Sequence, residues 1–261
     1  MADSLVTIET DARGVAVLTL DRPEKHNALS GEMIAELHGA ARALAADDAV
    51  RVVVLAARGR SFCAGGDLRW MEAQIAADGA TRAAEARKLA DMLEALNSLP
   101  KPLIGRVHGN AFGGGVGMAC VCDVAVGVTG ARFGLTETKL GLIPATIGPH
   151  VVARMGAARA RRVFMSSRLF EAEEAVELGI LARAVAPEDL DAAVEAEVAP
   201  YLACAPGAVA EAKALVRMLG GGVTPEIREA SIGALVRRWE SPEAGEGVAA
   251  FFEKRSPDWA G

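Results

Sequence analysis

Leu103-Ile104-Gly105-Arg106-Val107, Gly113-Gly114-Gly115-Val116-Gly117, Met118-Ala119-Cys120-Val121-Cys122 and Val124-Ala125-Val126-Gly127-Val128 follow one another in a single stretch of the chain. The outer runs are short, apolar and β-branched, which reads as buried strands; the segment between them reads as a glycine-rich turn opening a helix. Strand, turn, helix and strand in that order make a unit of an α/β domain. Working outward, Val15 to Leu20 and Arg51 to Ala56 read as strands of the same kind. Between them Ser30 is placed to cap a helix carrying Met33, Ile34, Leu37, Ala41 and Leu44 at helical spacing. A second amphipathic helix runs from about Ala80 to Leu99 and is stopped by Pro100 and Pro102. Beyond about Pro144 helices dominate, divided at Pro187, Pro206, Pro225 and Pro242, and only Leu181 to Val185 looks extended. No internal repeat or low-complexity linker is visible.

The 261 residues include 28 Lys and Arg against 34 Asp and Glu, a net charge of −6. An apolar fraction of 51% excludes a disordered chain, and the acidic balance with one Tyr and three Trp argues against a nucleic-acid surface. Four cysteines are too few for a disulfide scaffold, and the Cys120/Cys122 pair lacks the partners of a zinc site, so buried thiols are expected. With neither a signal-peptide pattern nor a long apolar run, the expected location is the cytoplasm, with no membrane contact.

Three segments carry chemistry. Phe62-Cys63-Ala64-Gly65-Gly66-Asp67-Leu68 and Gly113-Gly114-Gly115-Val116-Gly117 each place small residues at a strand-to-helix junction, where backbone N–H groups can approach a ligand. The second is no dinucleotide fingerprint, because Met118 stands at the last glycine position, and no G-K-S/T exists for a P-loop. Glu137 lies in the apolar, glycine-punctuated stretch Phe133 to Pro144. Two amide-rich turns and one carboxylate suit the stabilisation of an enolate beside a moving proton. Hydrolase readings fare worse: Ser98-Leu99-Pro100-Lys101 has a helix-breaking proline inside its S-x-x-K, no G-x-S-x-G occurs, and Cys63 has no histidine assigned to it. His108 and His150 are candidates for lining a pocket, though structural roles suit them better.

These motifs, with Asp21-Arg22-Pro23-Glu24-Lys25-His26-Asn27-Ala28-Leu29, Glu174 to Ile180 and Ala250 to Arg255, resemble the crotonase, or enoyl-CoA hydratase/isomerase, family over nearly the whole chain. The resemblance implies an α/β fold: a spiral of ββα turns over residues 1–190 that holds the thioester site, followed by a helical trimerisation region at 191–261. It implies an acyl-CoA substrate, a homotrimer or dimer of trimers, and no metal or separate cofactor, coenzyme A being part of the substrate.

Residue by residue, the resemblance assigns the thioester-oxygen donors to the backbone N–H groups of Gly66 and Gly114 and the catalytic carboxylate to Glu137. Ala64, Leu68, Lys25 and Ala28 match coenzyme A contacts, Asp67 belongs to the first turn, and Phe251 and Lys254 match a C-terminal helix reaching the coenzyme A of a neighbouring subunit. One departure stands out: Gly117 occupies the place of the family's other glutamate. Arg69-Trp70-Met71 and Glu137 to Ile147 look like a bacterial branch that hydrates methylglutaconyl-type CoA esters in leucine or isoprenoid degradation. The expected activity is therefore hydration of an α,β-unsaturated acyl-CoA. The alternatives are a one-glutamate double-bond isomerase or an acyl-CoA-binding protein without chemistry.

Overall fold

The computed structural model describes residues 4–221 and 223–259. Among these described residues ten strands form two sheets: β1 (Val6–Thr10), β2 (Val15–Leu20), β3 (Val52–Ala57), β4 (Ser61–Cys63), β5 (Leu103–Val107), β6 (Asn110–Phe112), β7 (Val124–Val128), β8 (Arg132–Gly134), β9 (Phe170–Glu171) and β10 (Arg183–Val185). The larger sheet has the order β1-β2-β3-β5-β7-β10 and the smaller β4-β6-β8-β9. In the larger sheet β2, β3, β5, β7 and β10 run parallel, and β1 joins the edge antiparallel to β2. All six residues of β3 are buried, as expected for a parallel strand covered on both faces.

Among the described residues eleven α-helices accompany the strands: α1 (Gly31–Ala46), α2 (Leu68–Ala76), α3 (Gly79–Asn97), α4 (Gly114–Val121), α5 (Gly148–Met155), α6 (Ala157–Ala160), α7 (Ala172–Glu177), α8 (Leu190–Leu202), α9 (Pro206–Leu219), α10 (Pro225–Trp239) and α11 (Pro242–Phe252). Ser30 caps α1 as expected, accepting the Met33 N–H at 3.2 Å, and the five predicted apolar residues of that helix are all buried.

The structure contains a repeat that the sequence conceals. A long strand enters the larger sheet, a short one the smaller sheet, and a helix follows: β3-β4-α2, then β5-β6-α4. β7-β8 repeats the two strands and leads into a 3₁₀ turn at Glu137–Leu140. The turns begin at Val52, Leu103 and Val124, and α3, inserted between the first two, destroys any fixed period. Stacking these turns sets the ends of β4, β6 and β8 side by side, together with whatever follows them.

The C-terminal helices fold back over this core. Trp239 of α10 and Ala244 and Val248 of α11 join Met71 and Leu142 in one buried cluster. Three cysteines are buried as expected, but Cys204, in the bend just past α8, is exposed. Among the described residues no helix is long and apolar enough to cross a membrane.

Candidate active site

Asp67 shows how the first turn is held. Its Oδ1 accepts the N–H groups of Arg69 (2.9 Å) and Trp70 (3.3 Å), capping α2, while Oδ2 pairs with Arg22 Nη1 at 2.7 Å. Burial alone would raise its pKa, but Arg22 and the two cap donors bring it below the ordinary carboxylate range. Directly before it, Gly66 forms a single parallel bridge with Leu29. The bridge uses the Gly65 carbonyl, which accepts Leu29 N–H at 2.7 Å, and the Asp67 N–H, which donates to Leu29 O at 3.0 Å. The N–H of Gly66 itself therefore points away from that bridge.

The second turn reaches the same place from β6. Gly113, at φ +47°, has no side chain with which to cap α4, and Gly114 is the first residue of that helix. Among the described residues neither the Gly66 nor the Gly114 N–H donates to a protein acceptor. An uncapped helix start leaves such donors, and the positive end of the helix dipole, available to an anionic oxygen. Gly113 is required both by its left-handed backbone and by proximity: a Cβ there would stand 3.0 Å from Glu137 Oε1.

Glu137 opens the 3₁₀ turn after β8. Its Oε2 is buried with no hydrogen-bond partner among the described residues. Burial pushes its carboxyl up to about 7, against the pull of its own backbone N–H. A proton is thus gained and lost near neutral pH, as general acid–base chemistry needs.

These groups line one cavity of about 470 Å³. Its wall is largely apolar, with Leu89 of α3, Leu142, and Leu235 and Trp239 of α10 among its members. Of the residues expected at the site, Ala64, Gly66, Leu68, Gly114, Glu137 and Phe251 lie on this wall. Lys25, Ala28, Asp67 and Lys254 do not: Lys25 and Lys254 are exposed, Ala28 is buried beside the bridge, and Asp67 is engaged in capping. Phe251, expected to serve a neighbouring chain, lies half-exposed at the cavity of its own.

A model of the enoyl-CoA hydratase/isomerase family matches residues 10–261. The chain belongs to that family. As an enzyme of the crotonase family, it is 35% identical over 257 residues to a Thermus thermophilus protein named as an enoyl-CoA hydratase, covering 96% of this chain and 99% of that one. The crystal structure of an enoyl-CoA hydratase from Mycobacterium avium superposes with a TM-score of 0.88 at 34% identity, covering 98% and 99% of the two chains. One from Mycobacterium smegmatis gives a TM-score of 0.80 at 38% identity, covering 98% and 99%. Both spiral and helical tail are therefore the crotonase fold.

Against this family background the departure at Gly117 has a structural counterpart. A Cβ at Gly117 would fall 2.6 Å from Ile147 Cγ2, so this crotonase fills with an isoleucine the space a side chain at 117 would enter. Ile147 and its neighbour Thr146 line the cavity, and motif reading did not single them out as site residues. The only sequence signal was their place in the Glu137 to Ile147 run. His108 and His150 stay out of the cavity wall. His108 Nε2 lies 2.9 Å from Gly59 O, and burial, with Arg217 nearby, pushes His150 down to about 4. Burial likewise raises the Cys63 thiol to about 12, which leaves no thiolate for nucleophilic work at neutral pH.

Proposed function

We propose that the enzyme adds water across the α,β double bond of an acyl-CoA thioester, with Glu137 as the single carboxylate that moves protons. The observation that carries this reading is one buried, unpartnered carboxylate oxygen sharing a cavity with two N–H groups that have no protein acceptor. Gly66 and Gly114 N–H hold the thioester oxygen. Glu137 takes a proton from water, hydroxide bonds to the β-carbon, and the π pair moves through the α-carbon toward the thioester oxygen. The protonated Glu137 then returns its proton to the α-carbon. One carboxylate balances the reaction, because the second hydrogen of the water remains on the new hydroxyl. No step calls on a metal or redox group, and dialysis against chelator is expected to leave the rate unchanged.

For the acyl group we propose a branched, methylglutaconyl-type ester of leucine or isoprenoid breakdown. The support is the likeness of the Arg69-Trp70-Met71 and Glu137 to Ile147 stretches to that branch. Among the described residues Lys139 is the one cationic residue lining the cavity, and a distal carboxylate would need such a partner. A panel of crotonyl-, methylcrotonyl- and methylglutaconyl-CoA is expected to show highest kcat/KM for the last; a preference for crotonyl-CoA would overturn the assignment. The Ile147-filled space at Gly117 favours a second reading, double-bond isomerisation, which shuttles one proton between two carbons and needs no second carboxylate. A 3-enoyl-CoA in the same panel separates the two by product.

The pH profile follows from Glu137. Hydration needs the ionised form to accept a proton from water, and that form is lost below about 7. The kcat/KM is expected to fall roughly tenfold per pH unit on the acid side of that value, reporting the free enzyme. A profile flat down to pH 5 would show that Glu137 is not the base.

We also propose assembly as a trimer or pair of trimers. Leu215, Val216, Met218 and Leu219 at the end of α9 are all at least half exposed, a patch that a second copy of the chain would cover.

A further inference from the structure

Among the described residues two buried polar atoms in the cavity wall have no hydrogen-bond partner: Glu137 Oε2 and Thr146 Oγ1. Thr146 is only 6% exposed, so bulk water does not satisfy its hydroxyl. Leaving such a group unpaired costs stability, and a functional site is where that cost is tolerated.

The helix beneath ties the two groups together. Gly113, the residue just before α4, and Gly117 within it lie on one face of the helix start, with Gly117 N–H donating to Gly113 O at 3.1 Å. Glu137 Oε1 approaches that face at Gly113, and Ile147, the neighbour of Thr146, approaches it at Gly117. Glu137 and the Thr146–Ile147 pair therefore border the same short stretch of chain, in the wall of one cavity.

We propose that Thr146 is the second holder of the attacking water, in the role for which Gly117 has no side chain; this rests on the hydration reading above. The water donates one O–H to Glu137 Oε2 and the other to Thr146 Oγ1. Glu137 removes the first proton as the oxygen bonds to the β-carbon. The hydrogen held by Thr146 never leaves its oxygen and becomes the hydrogen of the product hydroxyl. Thr146 therefore orients the nucleophile and transfers no proton.

The test compares Thr146→Val, which keeps the shape and removes the hydroxyl, with Thr146→Ser, which keeps the hydroxyl. Two activities are measured with thermal melting alongside: hydration of the preferred enoyl-CoA, and exchange of the α-hydrogen of a saturated acyl-CoA with D₂O. The exchange uses Glu137 and the two N–H donors but no attacking water. Thr146→Val is expected to lose about 10²-fold in hydration kcat/KM, the scale of a misplaced reactant, with exchange unchanged and Thr146→Ser restoring most of the rate. Equal losses in hydration and exchange would assign Thr146 a purely structural role. Unchanged hydration in Thr146→Val would overturn this inference alone, and a wild-type enzyme that adds no water would overturn it together with the hydration reading.

Discussion

Glu137→Gln is expected to lose at least ~10²-fold, and as much as ~10⁴-fold, in hydration rate, while affinity for a saturated acyl-CoA stays near wild type. Glutamine keeps the size and the hydrogen-bonding capacity of the side chain but exchanges no proton in the reaction. The loss is large because the side chain that would share the work is absent at Gly117 and its space is filled by Ile147. Stability provides an internal control with a definite sign. The carboxyl is raised from 4.5 to about 7 in the folded enzyme, so the folded state binds the proton more tightly than the unfolded chain. Ionisation at this site therefore costs stability as pH rises from 4.5 toward 7. Glu137→Gln removes the cost: at pH 8 the variant should melt higher than wild type, by at most on the order of 3 kcal/mol, and at pH 4 the difference should vanish. A rate loss below tenfold in a variant that melts this way would move the proton transfer to another group.

Proline at the two backbone donors is expected to have the next largest effect. Gly114 is the first residue of α4, where proline's fixed φ suits the helix, but a Cβ there would stand 2.6 Å from Leu29 Cδ1, so Gly114→Pro removes the N–H and also displaces Leu29. Removing one donor to a developing oxyanion costs roughly 10²–10³-fold in rate. Gly66→Pro should behave alike, and Gly66 offers a cleaner comparison. A Cβ there would meet Met71 at 3.7 Å, an ordinary contact, so Gly66→Ala is expected to keep both the fold and most of the activity. Kinetics of the alanine and proline variants, with circular dichroism to confirm folding, distinguish a backbone role from a packing role. A folded Gly66→Pro enzyme with near-full turnover would remove the first donor from the mechanism.

Much of the larger sheet was legible in the sequence because its inner strands are largely buried and read as short, mainly apolar runs. Val15 to Leu20, Leu103 to Val107 and Val124 to Val128 have the bounds expected, and β3 is displaced by one residue. The smaller sheet was not. Its strands are two or three residues long, too short for any periodicity, and they exist because the larger sheet stacks them. β1, with only Val6 buried, is an edge strand whose pattern is weak on its own. At the site, glycine-rich turns and a lone glutamate in an apolar run announced themselves. Thr146 and Ile147 did not, because an ordinary threonine and isoleucine acquire meaning only when folding sets them against Gly117 and Glu137.

The contact between Gly117 and Ile147 bears on how this enzyme's ancestry could have run. Ile147 Cγ2 and Cβ would stand 2.6 and 2.9 Å from any Cβ at position 117, and a β-branched side chain beside a helix has few rotamers in which to retreat. The two positions are therefore epistatic: a carboxylate can enter at 117 only in a background where 147 has already become small, and an isoleucine can enter at 147 only after 117 has lost its side chain. Any route of single substitutions between a carboxylate at 117 and the present pair passes through a glycine at 117 with a small residue at 147 and an empty pocket between them. Such an intermediate has already lost the second carboxylate and has not yet gained the packing, so the isoleucine acts as a ratchet that makes the one-carboxylate site hard to reverse.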